Sequence, residues 1–180
     1  MSTLLRSTRL LLQPLSRADE EGYCALHTDP VVMAWIAPVL DRSTAQRSFR
    51  AALSFNADTE FRRRFWFART LEGVGVGLLS LDGRAAPGAA ELGAIIATSA
   101  QRRGHASEAI LRLAGHAFET LGLQRLYTRH RPGHGAAVAL MRRLGFTPLE
   151  IDAANRDPAS QRWQLLRTTW REATGSTFTQ

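Results

Sequence analysis

Apolar residues recur along this chain with two different periods, and the change of period divides it. From Thr8 to Leu15 (TRLLLQPL) a compact apolar run closed by Pro14 predicts a first strand. Ser16 follows as an N-cap, with Asp19, Glu20 and Glu21 in the first turn, where the helix dipole favours anions. Tyr23, Leu26 and His27 carry that helix to Asp29-Pro30, and Val31 to Ile36 predicts a short helical piece ending before Pro38. Ser43 or Thr44 caps the next helix, with Phe49, Ala52, Leu53 and Asn56 at helical spacing.

Beyond that helix the period becomes two. Phe61 to Thr70 alternates Phe65 and Phe67 with Arg64 and Trp66, which predicts a strand with aromatics in the core and arginines in water. Val74 to Leu81 and Ala89 to Ala97 are the next strands, joined by a Gly-, Pro- and Ala-bearing loop from Asp82 to Gly88. A helix from about Gly104 to Leu121 follows, then a strand from Leu123 to His130 and a helix from His134 to Leu144. A strand from Phe146 to Ile151, a loop (DAANRDPAS) and a last strand from Arg162 to Thr169 complete the pattern. Gly122 and Gly145 stand where a left-handed residue ends each helix. Strands first, helices between the later strands and no second core predict one mixed α/β (α+β) domain over residues 1–180, with its core at about 8–170.

Composition narrows the function classes. A chain of 180 residues, 44% hydrophobic and 22% charged, buries its own core and reads as an ordinary soluble protein. No apolar run reaches the ~18 residues of a membrane span, and the N-terminus lacks a signal-peptide apolar region, so a cytoplasmic location and no membrane partner are expected. Cys24, the single cysteine, excludes a disulfide framework and a cysteine-based zinc site, and its apolar neighbours make it a buried small residue. Disorder is expected at the ends, chiefly Gly175 to Gln180. The net charge is +7, and all 23 basic residues are arginine. That excess points to an anionic partner, but the arginines form no single stripe.

The segment Gln101-Arg102-Arg103-Gly104-His105-Ala106 carries the clearest chemistry. It precedes an apolar helix whose N-terminus presents free N–H groups and partial positive charge, which suits phosphate. Gly104 and Ala106 let an anion approach the backbone, and Arg102 and Arg103 add donors. It has neither the Gly-Lys-Ser/Thr ending of a Walker loop nor the third glycine of a dinucleotide fingerprint. Other suggestive motifs are structural. Gly73-Val-Gly75-Val-Gly77 runs into a strand, and Pro132 and Gly133 separate His130 from His134, so no metal site is expected. The basic and aromatic run Phe61 to Phe67 reads as the amphipathic strand, so nucleic acid is not expected as a partner.

Gln101-x-x-Gly104-x-Ala106 resembles the pyrophosphate-binding Arg/Gln-x-x-Gly-x-Gly/Ala motif of the GNAT N-acetyltransferases. Glu91-Leu92-Gly93, Ser107-Glu108-Ala109, Ala117 to Leu123 and Arg143-Leu144-Gly145-Phe146 are similar to the RimJ/RimL-like ribosomal-protein-alanine acetyltransferases, a bacterial branch. So are Thr8-Arg9-Leu10 and Asp29-Pro30 with Val32-Met33, and the resemblance spans about residues 8 to 170.

The resemblance implies a GNAT fold: a mostly antiparallel central sheet with a splayed parallel strand pair, flanked by helices. It implies acetyl-CoA as donor, an amine acceptor and direct attack without an acyl-enzyme. Backbone groups near Ile95 and Ile96 would meet the pantetheine, and amides from Arg102 through His105 to Ser107 the pyrophosphate. The helix carrying His134 and Ala137 would flank the cofactor's far side. Glu91 is the implied general base, beside the acceptor, and Trp35 would line the acceptor pocket. Where the family often has Asn, Ser and, outside the branch, Tyr, this chain has His134, Ala137 and Met141. The proton donor to the leaving thiolate is therefore open between His134, Tyr127, and the helix dipole with water. The acceptor is expected to be a protein or peptide N-terminus. The alternatives are a small amine (an aminoglycoside or polyamine) and a non-catalytic acyl-CoA-binding or RNA-associated module. The net positive charge argues against a polycation, and the reading allows a homodimer.

Overall fold

The computed structural model describes residues 3–84, 86–149 and 160–175. In chain order the elements are β1 (Leu5–Arg6), β2 (Leu10–Pro14), α1 (Glu20–Thr28), α2 (Pro30–Met33), α3 (Arg42–Ala57), β3 (Arg63–Thr70), β4 (Gly75–Asp82) and β5 (Ala89–Ile96). They continue with α4 (His105–Gly115), β6 (Arg125–His130), α5 (Gly135–Arg143), β7 (Thr147–Pro148), β8 (Gln161–Leu166) and α6 (Arg167–Gly175). The strands form one sheet in the order β1-β2-β3-β4-β5-β6-β8-β7. All neighbours are antiparallel except β5 and β6.

Each face of the sheet buries its own core. Leu10, Leu12, Trp66, Leu79, Leu81 and Leu92 meet Ile110, Leu113 and Phe118 of the α4 layer. Leu15, Phe65, Phe67 and Leu78 meet Tyr23, Leu26 and Phe49 of the α1–α3 layer. β3 therefore keeps the predicted alternation of Phe65 and Phe67 against Arg64 and Trp66, but both of its faces are buried. Arg64 does not meet water: it is 4% exposed, and its guanidinium donates to the carbonyls of Phe55, Asp58, Glu60 and Arg63. Those acceptors include carbonyls at the end of α3, which no helical N–H reaches, so a buried charge is tolerated by full hydrogen bonding.

Several boundaries differ from the sequence expectation. Asp41, not Ser43 or Thr44, caps α3: its carboxylate accepts from the Thr44 N–H at 2.9 Å and from both hydroxyls. Ser16 does form a capping box with Asp19, but around a single 3₁₀ turn (Arg17–Asp19) that feeds α1. The helix begun by α4 ends in a widened π turn (His116–Thr120). Gly122 and Gly145 take φ of 69° and 80° as expected of helix-ending residues. The last strand stops at Leu166, and Arg167 opens α6, where a strand to Thr169 was expected. The Arg167 N–H bonds the Gln124 carbonyl, and Trp170 packs on Phe118 with ring centroids 5.5 Å apart, so a short amphipathic turn of sequence folds back onto the core. Gly175 ends that helix. The expected disorder beyond it, the end of the strand toward Ile151 and most of the loop after it fall outside the described residues.

Candidate active site

The parallel pair is short. β5 and β6 pair only at Ala89 with Arg125, Ala90 with Leu126 and Glu91 with Tyr127. β5 continues to Ile96 and β6 to His130, so their facing edges part after Glu91 and Tyr127. The Ala97 N–H donates to the Val76 carbonyl at 2.9 Å. By alternation the backbone of Ile95 faces β4, while Ala94 and Ile96 face the wedge. The Ile96 carbonyl there accepts from Gln101 Nε2 at 3.1 Å. Ile96 thus offers its backbone to the wedge, and Ile95 packs its side chain toward the α1–α3 core. A Cβ at Gly77 would lie 2.2 Å from the Ile95 carbonyl oxygen, so this glycine permits the close β4–β5 approach.

From the end of β5 a 3₁₀ turn (Thr98–Ala100) leads into the predicted phosphate loop. Arg102 has φ of 59° and Gly104 φ of 79°, with Gln101 at −70°. This turn, with an extended Gln101 followed by left-handed Arg102 and Gly104, is of the kind that gathers backbone N–H groups toward an anion. Gly104 precedes α4 with no side-chain cap, and Glu108 N–H is the donor that reaches the Gly104 carbonyl. The N–H groups of His105, Ala106 and Ser107 therefore have no helical acceptor. Arg102 and Arg103 are exposed beside them. The Nδ1 of His105 is buried without a partner among the described residues. Arg143, to which the sequence motifs assign no role, donates from the last turn of α5 to Ser107 Oγ at 2.6 Å. The only signal for it was its place in the Arg143-Leu144-Gly145-Phe146 segment.

The loop is braced from the turn between β1 and β2. The Glu108 carboxylate accepts from Ser7 Oγ, the Arg9 N–H and Arg9 Nε at 2.8, 2.7 and 2.6 Å, and Arg9 also donates to the Arg103 carbonyl. Burial pushes the Glu108 carboxyl up, but the Arg9 and Ser7 hydrogen bonds outweigh it and hold the group below the usual range.

At the mouth of the wedge, Glu91 Oε1 accepts from Arg129 Nε at 2.8 Å. Tyr127 stands opposite Glu91, its hydroxyl taking Arg125 Nη1 at 3.0 Å. Trp35 is 45% exposed and stacks on His134, with centroids 4.9 Å apart. Arg131 donates to the Ala34 carbonyl, so the segment after α2 is tied to the turn before α5. His134 is the N-cap residue of α5, and Ala137 lies in its first turn. Burial, then the nearby His130, hold His134 below the usual imidazole range, which favours its neutral form. His130 itself is fixed: Trp163 Nε1 can only donate, so Nε2 accepts from it at 2.9 Å and Nδ1 donates to the Arg131 carbonyl. Met141 is buried in the core. Trp35 and His134 are thus brought together, and Glu91 is joined to Arg129, while no hydrogen bond links Glu91 to His134 among the described residues.

A cavity of about 400 Å³ lies between α1 and the ends of β4 and β5, lined by Gly22, Leu26, Phe67, Gly77, Ala97 and Ser99 among others. Gly75 and Gly77 belong to β4, which bears out their reading as a strand start. Cys24 is fully buried, and burial pushes its thiol up, away from nucleophilic use.

A sheet opened by one parallel pair, with an uncapped helix N-terminus beside the opening, sets an anion site next to a cleft. The acetyltransferase (GNAT) domain model matches residues 9–147, and the chain belongs to that family. It is similar in structure to an acetyltransferase from Agrobacterium tumefaciens, with 24% identity over 92% of this chain and 95% of that one and a TM-score of 0.78. It is also similar to spermidine N-acetyltransferase from Vibrio cholerae in complex with CoA and spermine (20% identity, 91% and 99% covered, TM-score 0.75). A third likeness is to RimL, a ribosomal alpha-N-protein acetyltransferase in complex with coenzyme A (16% identity, 91% and 98% covered, TM-score 0.76). No curated protein sequence matches the chain.

Proposed function

We propose that this protein moves an acetyl group from acetyl-CoA to a primary amine, with a protein or peptide N-terminus as acceptor. The observation that carries the reading is the wedge beyond Glu91 and Tyr127, which leads along the free edge of β5 to the uncapped start of α4. The residues present fit the donor. The N–H groups of His105, Ala106 and Ser107, with Arg102, Arg103 and Arg143, would hold its phosphates, and the wedge-facing backbone groups of Ala94 and Ile96 its amide-bearing arm. When bound, acetyl-CoA supplies a thioester whose C–S bond is exchanged for a C–N bond to the acceptor.

The chain's own residues supply the proton handling. Glu91 takes a proton from the acceptor amine at its carboxylate, directly or through one water. Its pairing with Arg129 is between side chains 37% and 53% exposed, and such a pair is worth only about 0–1 kcal/mol, so an arriving ammonium group can displace it. A neutral His134, stacked on Trp35, serves better as a wall of the acceptor site than as an acid. We assign the return of a proton to the departing sulfur to the Tyr127 hydroxyl, whose strand position is across from Glu91.

Free-thiol release from acetyl-CoA in the presence of amine-bearing peptides tests the reading. Release that depends on both peptide and enzyme supports it. Saturable CoA binding with no release on any amine would replace it with a binding module.

A further inference from the structure

The open face around Glu91 carries a charge pattern that the transfer reaction does not use. Cross-strand partners share a face in an antiparallel sheet. The row through Glu91 reads Asp82, Glu91, Tyr127 and Gln164. The next row places Arg129 directly opposite Arg162, and the row before it holds Arg125. Like charges directly opposed across strands repel. Each carboxylate on this face is already paired: Glu91 with Arg129, and Asp82 with Arg84 and Arg63. Arg125 and Arg162 have no carboxylate partner among the described residues. The carboxylate bordering the 400 Å³ cavity, Asp29, accepts from the Val31 and Val32 amides and from the Thr98 hydroxyl.

We infer that this face selects the acceptor: it takes a peptide amino terminus with acidic side chains in its first few residues, held by Arg125, Arg129 and Arg162. This rests on the acetyl-transfer reading and deepens it. Arg125 and Arg129 are four strand residues apart, about 13 Å at ~3.3 Å per residue, which matches several residues of extended peptide better than one amino acid. An acidic side chain also relieves the Arg129–Arg162 repulsion once Glu91 turns to the amine. A polyamine meets the same arginines as repulsion.

The test uses three peptides identical except at positions 2 to 4, where they carry acidic, neutral or basic residues, with spermidine as a fourth acceptor. Thiol release gives kcat and KM, and fluorescence anisotropy with CoA present gives binding without turnover. The acidic peptide should show a KM about tenfold or more below the neutral one, an advantage that shrinks with added salt. Arg162→Glu and, independently, Arg125→Glu should erase that advantage while leaving the thermal stabilisation by CoA intact. Equal kinetics on the three peptides, or a preference for spermidine, would overturn the inference and leave acetyl transfer standing. Preferential, salt-sensitive binding of the acidic peptide without turnover would uphold it and overturn the catalytic reading. Neither turnover nor preferential binding would overturn both.

Discussion

At the scale of single residues, the site divides between what a side chain's neighbours in sequence reveal and what only the fold brings to it. Gln101, Gly104 and Ala106 were legible because a loop that receives phosphate needs small residues and a helix start within a few positions. Arg129 and Arg143 were not, because their partners, Glu91 and Ser107, lie 38 and 36 residues away. Tyr127 had no sequence signal for its orientation; the parallel register alone sets it across from Glu91. The claim about Glu91 belongs here. Glu91→Gln keeps the size of the side chain and the hydrogen bond to Arg129 but removes the basic carboxylate. It should lower kcat by about 10²-fold or more, the usual contribution of a positioned base, with little change in the KM for acetyl-CoA. A variant that turns over at the wild-type rate across pH would show that the proton leaves by another route.

At the scale of elements, the strands and long helices followed from periodicity and turn residues, because each has a buried face that its own sequence must encode. The exceptions are physical. α6 is three turns at most, and its contact with Phe118 lies far back in the chain, so its few apolar residues read as the tail of a strand. Arg64 read as solvent-facing because charge in an alternating strand ordinarily marks the wet side; the carbonyls at the end of α3 reverse that. The bracing of α4 by the turn between β1 and β2 is another long-range feature, and it makes a prediction about acid stability. The Glu108 carboxyl is held below its ordinary value in the folded protein. The unfolded state therefore binds protons first as pH falls, and the stability this group contributes is full above about pH 5 and lost as pH drops through its lowered folded value. Glu108→Gln should cost about 1.5–3 kcal/mol at neutral pH, the scale of hydrogen bonds to a charged group. The gap to wild type in denaturant melts should narrow as pH falls below the ordinary carboxyl range and close as it passes the lowered folded value. A gap that persists unchanged in acid would mean that packing, not the charged clasp, holds α4.

At the scale of the molecule, a net charge of +7 carried by arginine alone points to an anionic partner. The fold distributes that charge differently. Some arginines are internal, as Arg64 is; others pair with carboxylates, as Arg9 and Arg69 do; and two groups border the wedge, one at the start of α4 and one on the open face of β6 and β8. The first group is matched to phosphate and the second to an acidic acceptor, on either side of one wedge. A lysine-free chain also offers its own enzyme no ε-amine to acetylate. All of this depends on the wedge and loop holding the donor. Calorimetric titration of the protein with CoA measures that most directly. The account predicts saturable one-to-one binding that rising salt weakens and that the Arg102→Ala, Arg103→Ala double variant weakens about tenfold or more. No binding heat and no thermal stabilisation at saturating CoA would contradict it.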